Sequence, residues 1–464
     1  MKKYFIILLS FVCFCSCQDF LDETPKGKLI PKTTDDFGMM LDNYYYPNCI
    51  GFGQSLTMMM SDDFIIPDDK IFKYQYWGIQ SYIWDDYIFG INDEDECYFN
   101  SYRAIYTCNY ILDNILEAEL GTKFSRDYVE GAALFHRAYA YFTLVNVYAK
   151  HYDKATASTD LGVPLVLEAD PNVTVGRATV QQIYAQVLED LTKAVDLLPI
   201  GRQEYSFRAN QAAAYALLAR VYLYQSEYEE CRKSAEAARL QVGEPSNYNL
   251  YSVDMGNPDF GIEGYPWDGW EEDDIICYKG VGFGPNGDQD YNLSEDLISL
   301  FDQNRDLRWR LFITSYLLFE DGDPNADTPR TAFTLRNNKG PNIGELYIME
   351  AEACARVNDI DNALDLLNKL GRNRYADGTY IDVTERDPEK LLRLILDERR
   401  RECFYKGLRW FDLKRLNKDS RFAKTITHVY EGNTYTLTPE DKRYVVTFPG
   451  IVMSTNPYII QNPR

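Results

Sequence analysis

The chain has 464 residues, 45% hydrophobic and 26% charged, a composition that excludes a disordered or fibrous protein. Its 71 acidic against 48 basic residues give a net charge of -23, unsuited to gripping a nucleic-acid backbone. Aromatic residues reach 14%, with 37 Tyr, 24 Phe and 6 Trp, supplying flat apolar faces that suit sugar rings and peptides as well as a core.

The first residues, Met1, Lys2 and Lys3, precede an apolar run from Tyr4 to Ser16, the charged and hydrophobic regions of a secretory signal. At about 13 residues the run is too short to cross a bilayer as a helix. The segment Phe14-Cys15-Ser16-Cys17 resembles a bacterial lipobox. It predicts a signal peptide over 1–16 and lipidation of Cys17, where two acyl signals would anchor the chain. The plainer alternative keeps Cys13, Cys15 and Cys17 as small hydrophobes of the run. Asp19, Asp22 and Glu23 resemble the surface-export signal of Bacteroidetes lipoproteins, which implies the outer face of the outer membrane. Seven cysteines follow Cys17 without metal-type spacing, so neither a zinc site nor a complete disulfide framework is expected. Cys231, Cys354 and Cys403 fall in helical patterns as small buried residues.

Apolar residues at three- and four-residue steps predict amphipathic helices over 95–117 and 125–148. Over 212–240, Tyr215, Leu218, Ala219 and Tyr222, a turn at Ser226, then Tyr228, Cys231, Ala235 and Ala238 fill the slots of a tetratricopeptide repeat. A second copy runs over 345–370 around a turn at Asn358-Asp359. Helices at 126–149 and 179–198 form a further pair, and 387–405 another helix. The fold class is therefore all-α dominated, a scaffold of tetratricopeptide-type helix pairs sharing one apolar seam.

Three long irregular stretches interrupt it, at 47–94, 243–293 and 316–343, and their aromatic content argues for ordered, ligand-facing loops. Sugar recognition needs exposed rings with polar groups beside them. The loop 61–87 offers Asp63, Tyr74, Trp77 and Tyr82, and the loop 265–291 offers Trp267, Trp270 and Tyr291. Trp77, Trp267 and Trp270 serve either as ligand platforms or as anchors of their own loops, while Trp84 is read as core. Asp321, Asp323, Asn325 and Asp327 alternate like the start of a calcium loop, but the glycine and the closing glutamate of that loop are missing, so a solvated acidic turn is the plainer reading. No cofactor is called for.

Catalytic signatures are absent. The three histidines, His136, His151 and His428, form no zinc pair, and neither a Gly-x-Ser-x-Gly elbow nor a phosphate-binding loop occurs. The chain is read as a non-enzyme, with a helical-repeat glycosidase as the rival among enzymes.

Taken together these segments resemble the SusD/RagB family of surface lipoproteins over the whole length. The likeness is carried by Cys17-Gln18-Asp19-Phe20-Leu21-Asp22, Arg137-Ala138-Tyr139-Ala140-Tyr141-Phe142, Gly162-Val163-Pro164-Leu165, Arg177-Ala178-Thr179 and Arg208-Ala209-Asn210. Most specific are Glu398-Arg399-Arg400-Arg401-Glu402 and Arg409-Trp410-Phe411-Asp412-Leu413-Lys414-Arg415, backed by Asn456-Pro457 and Gln461-Asn462-Pro463.

The resemblance implies a helical fold with ligand loops on one side and a SusC-like TonB-dependent transporter on the other, over which the protein acts as a hinged lid. It divides the mature chain into an N-terminal arm (17–94), a helical repeat region (95–242), a loop-rich insert on the ligand side (243–344) and a C-terminal repeat region (345–464). The implied function is non-catalytic capture of an oligosaccharide or polysaccharide, with a peptide, as in the RagB branch, or a role as a surface adaptor as alternatives. The Arg-Trp-Phe-Asp segment is expected to pack and ion-pair internally, not to touch ligand.

Overall fold

The computed structural model describes residues 30–43, 52–66, 76–90, 93–253, 262–264, 271–280, 292–314, 330–331 and 338–464. At its centre lies α5 (Arg126–Tyr148), preceded by α1 (Thr34–Leu41), α2 (Phe52–Met60), α3 (Tyr76–Tyr82) and α4 (Glu96–Asn114). Ser125 caps α5, accepting from the N–H of Tyr128 at 3.1 Å, and nearly every residue after it is buried on all faces of the helix. A helix apolar all round belongs in a core, and α5 is the post around which the others stand.

The helices pack in chain order: α4 on α5, α5 on α6 (Val180–Leu197), α6 on α7 (Gln211–Tyr224), and α7 on α8 (Tyr228–Val242). Next, α8 meets α11 (Ile343–Arg356), which pairs with α12 (Ile360–Arg372) and α13 (Pro388–Cys403). Among the described residues between α8 and α11, the α-helices are the short α9 (Glu295–Ile298) and α10 (Leu307–Phe312). The expected pairs form where the periodicity placed them. Ser226 and Asn358, at the two predicted turns, take the same left-handed backbone, with φ of 61° and 66°. Cys231, Ala235 and Ala238 are fully buried where α8 closes on its neighbours, as small residues at a close helix approach must be. All six cysteines among the described residues are free and buried.

Charge is buried here too. Between α7 and α11, Arg220 holds Glu345 through two hydrogen bonds of 2.8 and 2.6 Å. On α14 (Arg409–Leu416), Asp412 accepts from Arg399 at 2.8 Å and Arg415 at 2.7 Å, and Arg415 also holds Glu352 at 2.5 and 2.8 Å. Trp410 is fully buried against Tyr444, 4.7 Å between ring centres. The Arg-Trp-Phe-Asp segment is thus an internal brace. Burial opposes the charge on Asp412 and Glu352, but Arg399 and Arg415 hold Asp412 well below the carboxylate range, and Arg415 and Arg356 hold Glu352 down at about 2.

The described chain begins at the amino end of α5. Thr34 donates to the Glu119 carbonyl at 2.8 Å, and the Asp35 carboxylate accepts from the backbone of Thr122, Lys123 and Phe124. Cys17 and the preceding segment lie outside the described residues. No described helix is long and apolar enough to cross a membrane.

Candidate ligand-binding face

One small antiparallel sheet gathers the three irregular stretches. Its order is β1 (Phe64–Ile65), β6 (Asn292–Leu293), β8 (Arg330–Thr331) and β7 (Ile313–Thr314), while β4 (Ser252–Val253) and β5 (Ile262–Glu263) pair separately. Phe64 pairs with Leu293, Asn292 with Arg330, and Thr314 with Arg330. Segments 67–75, 281–291 and 332–337 therefore join the sheet at one end, and 315–329 links β7 to β8 at the other. Stretches spread over about 270 positions of sequence thus meet in one sheet, their root.

That root is clamped by α13. Arg400 reaches Asp63 and Asp296, each at 2.7 Å, and so ties the first stretch to the strand-and-helix unit after the second. Arg409 grips both oxygens of Asp62, at 2.7 and 2.9 Å, and Lys424 adds a third contact at 2.9 Å. From the insert, Arg308 pairs with Glu398 at 2.6 Å and Glu402 at 2.9 Å, and Arg374 joins Glu402 to Asp274. Burial works against ionisation of Asp62, yet Arg409, Arg400 and Lys424 hold it well below the carboxylate range. For neighbouring Asp63 burial prevails over Arg400, with Asp62 adding to it, and its pKa rises.

Two expected ligand contacts are corrected by this geometry. Asp63 is 1% exposed and committed to Arg400. Tyr82 is 2% exposed and stacks at 4.1 Å on His428, whose other face meets Trp84 at 4.3 Å. Burial lowers the pKa of His428, opposed by the Tyr82 and Ser61 carbonyls that its two ring nitrogens face. The warning was in the sequence: Asp62 and Asp63 lie between Met58-Met59-Met60 and Phe64-Ile65-Ile66, apolar flanks that bury what they enclose. Trp84 is core as read, its indole donating to the Met60 carbonyl at 2.9 Å.

Trp77 is half-buried on α3, packed against both the main core and the apolar cluster under the sheet. It anchors α3 and leaves part of its ring toward solvent. Tyr74, Trp267, Trp270 and Tyr291 lie outside the described residues, as do Asp321, Asp323, Asn325 and Asp327. Among the described residues no cluster of three or more His, Cys, Asp or Glu side chains could hold a metal ion.

A helical scaffold presenting loops from one clamped root defines a binding protein built on stacked helix pairs. Two family profiles match: one described as "Starch-binding associating with outer membrane" over residues 19–223, the other as "SusD family" over 336–463. Together they take in more than half of the chain, and the protein belongs to the SusD/RagB family. A SusD-like protein of Formosa agariphila is 23% identical over 378 residues, covering 68% of this chain and 71% of the relative. A SusD superfamily structure from Bacteroides thetaiotaomicron superposes with a TM-score of 0.71 at 21% identity, covering 93% of this chain and 100% of its own. A SusD-like carbohydrate binding protein from Bacteroides vulgatus gives 0.64 at 20% identity, over 93% and 98% of the two chains.

Proposed function

We propose that the protein captures a nutrient at the cell surface, an oligosaccharide or polysaccharide, and delivers it to a SusC-like TonB-dependent transporter. The observation that carries this reading is the single clamped sheet in which the three aromatic-rich stretches meet. Rings from separate loops brought together can stack on successive sugar units. The starch-binding profile and the carbohydrate-binding neighbour support the ligand class. Lipidation of Cys17 would hold the protein on the outer membrane.

Calorimetric titration with neutral oligosaccharides and short peptides tests the reading. Binding of a glycan, weakened at least tenfold by Trp267→Ala or Trp77→Ala while the unfolding midpoint stays within about 5 degrees, is the expected result. Heat from peptides alone would move the protein to the peptide-capturing branch. Failure to co-purify with a barrel transporter would remove the delivery step.

A further inference from the structure

Away from the loop root, at the carboxyl end of α5, an open cavity of about 630 Å³ lies between α14, the hairpin β2 (Leu161–Pro164) and β3 (Arg177–Thr179), and the C-terminal segment. That volume suits a small organic ligand. Its charges do not cancel. On the rim Lys150 pairs with Asp160 at 2.6 Å, Lys418 stands 3.7 Å from Asp153, and Arg443 takes Asp441 at 2.6 Å. Glu440 and Lys442 remain as one exposed charge of each sign.

Two further cations line the wall. Lys414, 5% exposed, donates to the carbonyls of Asn146 and Ala149 at 2.7 and 2.6 Å. Arg177 donates to the carbonyls of Gly162 and Leu161, both at 2.7 Å, and Ile460 at 2.9 Å, with a long contact to Tyr148 at 3.4 Å. Its guanidinium lies over the Phe448 ring at 5.0 Å. Among the described residues neither cation meets a carboxylate. Each keeps one N–H without a protein acceptor, since an ammonium has three donors and a guanidinium five. His151 beside them supplies no charge, because burial and then Lys414 keep its pKa well below the ordinary value.

We propose that this cavity binds a small organic oxyanion, a carboxylate or sulfate carried on a body of up to disaccharide size, at a site separate from the loop face. Lys414 has left bulk water and Arg177 is half-buried, so an incoming anion meets them at lowered dielectric and gains charge-assisted hydrogen bonds. Pro439, Tyr444, Ile460 and Pro463 offer apolar surface to the rest of the ligand. In a chain of net charge -23, two unanswered cations in one cavity are a local reversal of sign.

The test is calorimetric titration of the purified protein with glucuronate, inorganic sulfate and neutral glucose. Burial brings Lys414 down to about 7, so a buffer near pH 6 keeps its ammonium charged. Glucuronate is expected to bind and glucose not. Lys442→Glu, an exposed rim change that spares the fold, and Lys414→Met should each weaken glucuronate at least tenfold. A crystal soaked in glucuronate should place the carboxylate against Lys414 and Arg177. No glucuronate heat, equal binding of glucose, unchanged affinity in both variants, or density only at the loop face would each overturn the proposal. Binding of sulfate without glucuronate would reduce the cavity to an inorganic-anion site and overturn it as well.

Discussion

Arginine-carboxylate pairs hold one crossing of the helical framework and the loop root in different ways, the root sharing its partners as the Arg399, Asp412 and Arg415 brace does. In the framework Arg220 and Glu345 face each other between two helices, fully buried and alone. At the root Arg400 serves Asp63, Asp296 and Asp62 at once, and Arg409 and Lys424 share Asp62. A solitary pair fixes how two helices meet, whereas a shared network fixes a junction of loops and tolerates the loss of a member. The loops beyond the junction are thereby free to differ in sequence without disturbing the helices that carry them.

The largest way to break this contrast is Arg220→Met, which strands Glu345 in the core and should cost about 3–5 kcal/mol in chemical denaturation. Adding Glu345→Leu should restore much of it; no recovery would mean the cost is one of packing. Arg400→Met should be milder, about 2 kcal/mol, since Arg409 and Lys424 remain. Its distinguishing mark is faster proteolysis near 67–75 and 281–291 with the helical signal unchanged. Equal losses from the two arginines would erase the distinction.

The smallest effect sharpens the framework side. Asp95 caps α4, accepting from Cys97 at 2.9 Å, and also receives the Tyr148 hydroxyl; burial pushes its pKa to about 6 from 3.8. The folded state therefore holds the proton between those values, and stability falls as pH rises through them and stays lower above. Asp95→Asn keeps the cap without the ionisation. Relative to the parent it should gain on the order of 1–2 kcal/mol between pH 4 and pH 7. A flat difference across that range would show that Asp95 is already ionised at the lower end.

Periodicity was enough for the framework because helix pairs announce themselves locally: Ser226 and Asn358 mark turns, and Cys231, Ala235 and Ala238 mark a close approach. The brace of Arg399, Asp412 and Arg415 was legible as well, since charges amid Trp410, Phe411 and Leu413 must pair. The root was not. Its sheet is made of two-residue strands drawn from positions 64 to 331, with no alternation long enough to register. Asp63 and Tyr82 were misread for one reason, that a polar atom in an aromatic loop was taken to face outward. Nothing local reveals that Arg400 lies opposite.

The tie between Thr34 and Glu119 also sets a length. With a lipid on Cys17, twelve residues lie between the anchor and Ile30, a reach of at most about 45 Å. That span meets the body at the amino end of α5, a helix of 23 residues and so roughly 34 Å long. On the proposed anchoring, the body would meet a partner in the same membrane at the effective concentration of a tethered molecule, not that of a free one.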